Sequence, residues 1–475
     1  MEAHPFEALP VRLKRLMRDW GAAAQSHGQP ARPLPSRRQL LGGAAAAAAG
    51  AALPWQRLLA SVAPVGGDYR ALVCVFLYGG SDSHNLLVPR STAEYAQYAA
   101  NRANLAVPLP KLLPIEPRTS DGLEYGLNPS LVRLQKRFQS GRLALLRNVG
   151  PLIEPVDKRS YVNKSVALPP QLFSHKDQQH YWQTARPSPS NQVGWGGRLA
   201  DRVFDQNDIP LLTAVSLDGA NTFLNGEVQG FYSMGGQGPT ALELFDDELG
   251  DLRRLAFKAL LTTSDAPIPQ TYAQLQVQAA GLEQLLTKGF EGLPALQTVF
   301  PSTPLGQQLR RIALGIAARD ALGSRRQVFL AAKGAFDNHS DLIESYPALL
   351  ADVDACLDAF QAALEELGVD QDVVTFTASD FGRSLSSNGK GSDHGWGGHA
   401  MILGTPVIGG DLYGTMPELA LDGPDDVGAG RLIPTTAVDR YGATLARWFG
   451  VPEEQLPEVF PNLPNFPGGP LGFLG

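Results

Sequence analysis

The sequence predicts an α/β fold: a mostly parallel central sheet with helices on both faces. Three observations lead there. Apolar runs of buried-strand length, ALVCVFLY (71–78), RLALLRNV (142–149), QVFLAA (327–332) and Val373–Phe376, alternate with segments of helical period. Three of these runs break off into polar stretches on glycine-permitted backbone, as at the carboxyl ends of parallel strands. The 475 residues are 44% hydrophobic, with 37 Pro and 50 Gly. That suits one large domain with long ordered loops rather than a helical bundle.

In chain order, residues 1–63 read as a twin-arginine signal or leader and 64–475 as a single α/β domain with a Pro/Gly-rich C-terminal tail. The leader reading rests on SRRQLLGGAAAAAAGAALP, followed by a small-residue site near Ser61-Val62-Ala63. Its apolar part is short and Ala-rich for a membrane span. Such a signal implies the twin-arginine export machinery as a partner and a periplasmic or otherwise exported protein.

The first strand ends in GGSDSHN (79–85), whose two glycines allow a tight turn and close backbone approach before Asp82, His84 and Asn85. The second, 142–149, closes on Gly150-Pro151. In FSHKDQQHYWQTARP (173–187), Ser174 occupies a helix N-cap position and the helix runs on toward Ala185. GWGGRLADRVF (194–204) starts another helix after a Gly-rich turn, and LLTAVSL (211–217) reads as a strand. GGQGPTA (235–241) has no apolar strand leading into it and reads as a loop. Two helical patterns occupy 269–322. The strand 327–332 ends in KGAFDNHSD, a long amphipathic helix spans roughly 340–367, and the strand at 373 opens into TASDFGRSLSSNGKGSDHGWGGHAMILG. After 404 come a further strand, the loop GGDLYG and a helix near 435–449.

Net charge is −7, but residues 1–63 carry eight Lys/Arg against three Asp/Glu, so the rest lies near −12. No basic stripe is present to neutralise phosphates, which argues against a nucleic-acid partner. Cys74 and Cys356 lie in apolar patterns and read as core thiols. No GxSxG occurs, which sets aside a nucleophile-elbow hydrolase.

Beyond residue 63, all six histidines, His84, His175, His180, His339, His394 and His399, fall in the polar segments that follow strands or open a helix. Asp82, Asp337, Asp380 and Asp393 accompany them. Imidazoles and carboxylates gathered at strand ends suit a divalent cation: zinc, manganese, magnesium or calcium.

LVCVFLYGGSDSHN, FSHKDQQHYWQTA, GWGGRLAD, FDNHSD, TASDFGRS and NGKGSDHGWGGHAMILGTPVIGGDLYGTMPEL together resemble the domain-of-unknown-function family 1501, over about 71–450. That family comprises exported bacterial proteins and is similar in fold to the alkaline phosphatase and sulfatase superfamily. The resemblance implies an exported metal-dependent hydrolase of phosphate or sulfate esters, with a small anionic ester as substrate. Carried over by position, Asp82 matches the first metal-bound aspartate and Ser174 the nucleophile at a helix N-terminus. Asp337 and His339 resemble a metal pair, and Asp380 matches a further metal aspartate. His394 or His399 supplies a late histidine ligand. Two departures, Asp-x-His spacing at 337–339 and Phe381 where a histidine is expected after Asp380, count against a full two-zinc site. They leave a one-metal or aspartate-rich one. In this reading Arg383 or Arg198 clamps the anion, and His175 protonates the leaving group. The competing reading is a non-catalytic metal- or ligand-binding exported protein of the same fold, part of a surface or polymer-handling assembly.

Overall fold

The computed structural model describes residues 68–188, 190–234, 285–293 and 295–475. The leader, the GGQGPTA loop and the first of the 269–322 helical patterns lie outside the described residues. The strands are β1 (Arg70–Leu77), β2 (Leu87–Pro89), β3 (Leu113–Ile115), β4 (Tyr125–Leu127), β5 (Leu143–Gly150), β6 (Ala214–Ser216), β7 (Tyr232–Ser233), β8 (Arg326–Lys333), β9 (Val373–Ser379), β10 (Gly398–Leu403), β11 (Asp411–Tyr413) and β12 (Thr436–Ala437). The helices are α1 (Thr92–Arg102), α2 (Val132–Gln139), α3 (Lys158–Asn163), α4 (His175–Thr184), α5 (Trp195–Asp201), α6 (Pro304–Ala317), α7 (Leu342–Glu366), α8 (Val438–Phe449) and α9 (Leu456–Val459).

Nine strands form one sheet in the order β11-β5-β10-β9-β1-β8-β6-β7, with β12 also on β5; β2, β4 and β3 form a small separate sheet. Every pairing in the large sheet is parallel except those of β10, which runs antiparallel to both β5 and β9. The sheet is therefore mixed but mostly parallel, as expected. In the centre, Leu77 of β1 is in register with Lys333 of β8 and Ser379 of β9. Three adjacent strands thus stop at one level, and the polar segments that follow them meet at a single rim.

The side-chain period of two divides β1 between two cores. Ala71, Val73, Val75 and Leu77 join the cluster containing Leu134 and Phe138 of α2, Leu309 and Ile312 of α6, and Leu350 and Leu357 of α7. Leu72, Cys74 and Phe76 join Trp182 of α4, Trp195 and Leu199 of α5, and Tyr441 and Phe449 of α8. Helices therefore cover both faces, and a strand buried on both sides reads as an unbroken apolar run. Cys74 and Cys356 are free and lie in opposite clusters, which settles them as core thiols.

Two local expectations change. Of the 211–217 run only Ala214–Ser216 is a strand, because Pro210 opens a 3₁₀ turn over Pro210–Thr213. The strand expected between 404 and GGDLYG is not there: β10 (Gly398–Leu403) precedes it, inside what reads as a polar loop, and β11 (Asp411–Tyr413) lies within GGDLYG, which reads as a loop.

The second core holds one carboxyl that costs stability. Asp439, buried in the first turn of α8, accepts a hydrogen bond from the Asn462 amide at 3.1 Å. Burial pushes it up to about 7, against an ordinary value near 4. Between those values the folded chain binds a proton the unfolded chain has lost, so stability falls as pH rises and levels off above about 7. Asp439→Asn removes that dependence. Denaturant titrations at pH 8 are expected to find the variant more stable by roughly 2–4 kcal/mol, with the gap closing below about pH 4.

Candidate metal centre

The rim is shaped by close backbone approaches. After β1 the chain turns at Gly79 and Gly80, with φ of +113° and +82°. The segment after β8 folds back over this turn, the Phe336 amide donating to the Tyr78 carbonyl at 3.1 Å, which brings Asp337 beside Gly79. Beyond β9, residues 382–396 double back on themselves. The Ser384 amide donates to the Asp393 carbonyl at 2.8 Å, and Arg383 bridges to His394. The N-terminus of α4 delivers His175 to the same place.

There four donor atoms face one another. Asp337 Oδ1 lies 3.3 Å from His175 Nε2, 3.0 Å from His339 Nε2 and 3.5 Å from His394 Nε2. His339 Nε2 and His394 Nε2 are 2.9 Å apart. His175, Asp337 and His394 form the one cluster of metal-ligating groups of this closeness among the described residues.

The opposite nitrogen of each ring fixes its tautomer. His394 Nδ1 lies 2.7 Å from the Phe173 carbonyl, which only accepts, so the proton sits on Nδ1. His339 Nδ1 meets Asp393 Oδ1 at 3.1 Å, and His175 Nδ1 meets Asp380 Oδ2 at 2.7 Å. In neutral rings every Nε2 then turns a lone pair toward Asp337, which is itself an acceptor. One shared proton would reconcile His339 with His394, but not four acceptors at once. A divalent cation would. Two imidazole nitrogens and one carboxylate oxygen, from His175, His394 and Asp337, lie within 4.8 Å of one another and fit such an ion, each imidazole braced from behind by a carboxylate or a carbonyl; His339 stands beside this group, against Asp337 and His394.

The charges agree with this. Burial pushes Asp337 up, but Arg383 beside it and the neighbouring imidazoles hold it below the usual carboxylate range. Burial lowers His394, favouring the neutral ligand form. His175 is the exception: its hydrogen bond to Asp380 raises it, which favours an imidazolium donating Nε2–H to Asp337 over a metal-ligating lone pair.

Of the residues singled out in the sequence, Asp337, His339, His394, His175, Asp380 and Arg383 come together, with roles that differ from those expected. His175 stands among the converging donors, its Nε2 3.3 Å from Asp337 Oδ1 and its Nδ1 taken by Asp380. Asp380 is the brace of His175, shared with Gln179 Nε2 at 2.7 Å. Arg383, fully buried, gives Nη1 to Asp337 at 2.6 Å and to the Gly79 carbonyl, and Nη2 to the Ser392 carbonyl; its Nε is buried without a partner. Arg198 is likewise consumed by the Val459, Val193 and Thr184 carbonyls.

Two expected metal ligands stay outside the cluster. Asp82 is buried against the guanidinium of Arg102, which already neutralises it, although burial still raises its pKa. His399 stands on β10 with Nδ1 accepting from the Asn148 amide at 2.9 Å, and burial lowers it to about 3. Its ring faces a small cavity lined by Ser81, Thr377 and Ser379. Ser174 caps no backbone amide; its hydroxyl donates to Asp177 Oδ2 at 2.7 Å. The brace from the Phe173 carbonyl has no sequence signature, since any residue carries that group. Gln179, one helical turn after His175, does follow the spacing that puts i and i+4 on one face.

The model of a family described as "Protein of unknown function (DUF1501)" matches residues 306–460, the stretch carrying Asp337, His339, Asp380, Arg383 and His394. The resemblance seen in the motifs therefore stands there. No curated protein matches the sequence. Among solved structures, the chain is similar to a sulfatase from Pseudoalteromonas sp. at 11% identity, over 89% of this chain and 73% of that one, with a TM-score of 0.35. It is similar to a protein in the alkaline phosphatase superfamily from Vibrio parahaemolyticus at 13% identity, over 82% and 68%, with a TM-score of 0.34. A phosphonate monoester hydrolase of Agrobacterium radiobacter is similar at 10% identity, over 81% and 74%, with a TM-score of 0.34.

Proposed function

We propose that the chain is an exported, metal-dependent hydrolase of phosphate or sulfate esters. The observation that carries this reading is the convergence of His175, His339 and His394 Nε2 on Asp337 Oδ1, with the His339 and His394 nitrogens 2.9 Å apart. A divalent cation held by His175, Asp337 and His394, with His339 beside them, would act as a Lewis acid on the ester oxygens. The chain itself supplies orientation: Asp380, Asp393 and the Phe173 carbonyl fix the three rings, and Arg383 fixes Asp337. Ser174, one residue before His175, is the proposed nucleophile. Its Oγ would bond to phosphorus or sulfur as its proton passes to Asp177, 2.7 Å away, and the ester bond to the alcohol breaks, the leaving oxygen taking a proton from solvent; water would then attack the same phosphorus or sulfur, releasing phosphate or sulfate as Asp177 returns the proton to Ser174 Oγ.

The test is elemental analysis of protein purified from the periplasm without chelator, followed by assays on aryl phosphates and aryl sulfates. A stoichiometric divalent metal with turnover is expected. Ser174→Ala should keep the metal and lose about a thousandfold or more in kcat. A well-folded, metal-free native protein would sink the reading. Stoichiometric metal with no turnover of either ester would point instead to a binding protein, the reading favoured by a Ser174 hydroxyl already engaged by Asp177.

A further inference from the structure

A metal centre of this composition handles an anionic ester poorly without a second positive group. Asp337 and Asp393 are 46% and 54% exposed at the rim, and both repel an incoming anion. The buried or pre-engaged arginines cannot answer them. Arg383 and Arg198 are spent on backbone and Asp337, Arg102 on Asp82 and the Ser384 and Leu385 carbonyls, and Arg147 on Asp121 and Gly414.

Arg431 is different. It is half-buried, and its Nε donates to the His394 carbonyl at 3.3 Å. Its guanidinium carbon lies 4.8 Å from the centre of the Phe173 ring. Both contacts are with the residues that set the His394 imidazole, since Phe173 supplies the carbonyl bound to His394 Nδ1. The two terminal nitrogens of Arg431 have no partner among the described residues.

The loop that presents it is fixed. Gly428, Ala429 and Gly430 all have positive φ (120°, 57° and 74°), and Asp426 Oδ1 accepts from the Gly428 and Gly430 amides at 2.7 and 2.9 Å. The Leu385 amide donates to the Gly430 carbonyl at 2.8 Å, tying the loop to the segment that carries His394. Held through Nε and one ring face, a guanidinium keeps its two terminal N–H groups as a preorganised fork for two oxygens of a tetrahedral oxyanion.

We infer that Arg431 is the anion-recognition residue of this centre, binding two non-bridging oxygens of a phosphate or sulfate ester beside His394. The inference rests on the ester-hydrolase reading above. The test is calorimetric titration of the zinc-loaded full chain with inorganic phosphate and, separately, inorganic sulfate. The native protein and the Arg431→Met and Arg431→Lys variants are compared, with metal content and unfolding midpoint measured for each. Arg431→Met is expected to weaken the preferred oxyanion about ten- to hundredfold at unchanged metal content, and Arg431→Lys to recover part of the loss. The arm with tighter native binding identifies phosphate or sulfate as the substrate group. Unchanged affinity in Arg431→Met overturns the inference, as does failure of the native protein to bind either oxyanion. Loss of zinc or of folding in Arg431→Met that Arg431→Lys does not share with oxyanion binding restored would mark Arg431 as a support for His394, and also overturns it. A native protein that takes up no zinc sinks the hydrolase reading instead, while an Arg431-dependent oxyanion affinity in the metal-free chain would still uphold the inference.

Discussion

His394→Ala is expected to abolish divalent-metal binding and, in the presence of chelator, to leave the chain about as stable as the native protein. The first half follows from ligand count. Removing one of three close donors, and the one packed between Phe381 and His339, opens the cluster on its buried side. The second half follows from the facing nitrogens. Without a cation, His339 and His394 Nε2 face each other 2.9 Å apart beside a carboxylate with at most one shared proton between them, so these rings stabilise the native fold little until metal binds. A ligand that binds only the folded state adds RT ln(1 + [L]/Kd), about 4 kcal/mol at a thousand times Kd. Chelator should therefore lower the native melting temperature by several degrees and leave that of His394→Ala unmoved. With chelator present the two chains should agree within about 1 kcal/mol. Asp393→Ala, which removes only the brace of His339, should weaken metal about ten- to hundredfold without abolishing it. Differential scanning calorimetry with and without chelator reads all three. A native protein indifferent to chelator would refute the centre.

How much of this was legible beforehand depends on what kind of interaction decides each feature. β1, β5, β8 and β9 stand within a few residues of their expected bounds, because a strand covered on both faces reads as a mostly apolar run; β5 nonetheless continues through Arg147 and Asn148 to Gly150. That three of their ends meet is a matter of register, yet the gathering of histidines after them announced a common rim. The individual roles were less readable. Asp82 follows β1 as a metal ligand would, but Arg102, twenty residues on at the end of α1, takes its carboxylate, and nothing local records that pairing. His399 belongs to β10, whose antiparallel place between β5 and β9 is set by long-range pairing, not by its own polar-flanked sequence. His175 reads in the sequence as a proton donor to the leaving group, and nothing local records that its Nδ1 meets Asp380. Only the position of Asp380 on its far nitrogen shows which atom faces the cluster. Arg431 sits in a glycine-rich loop 37 residues after His394, and its meaning arises from the contact alone.

The glycine pair after β1 was readable and carries the second large effect. Gly79→Ala is expected to destabilise the fold by roughly 2–6 kcal/mol and to cost metal affinity at the same time. Gly79 has φ +113°, a region an L side chain enters only under strain. A Cβ there would overlap the Asp337 amide nitrogen and stand 2.8 Å from the Phe336 carbonyl carbon, so the neighbour that must move is backbone. That backbone carries the shared carboxylate of the proposed centre. The Gly79 carbonyl also accepts from Arg383 at 3.1 Å, and Arg383 holds Asp337 at 2.6 Å, so displacement on either side reaches the same oxygen. Gly80→Ala provides the comparison. Its Cβ would meet the buried ring of Phe381, which packs on His175 and His394, so stability should fall and the strain reaches the imidazole side of the centre while the Asp337 backbone keeps its place. Denaturant titration and zinc affinity, measured on both variants, separate the two. Gly79→Ala should lose affinity beyond what its stability loss explains, and by more than Gly80→Ala. Equal zinc affinity in the two would show that the β1 turn closes the sheet edge without positioning Asp337.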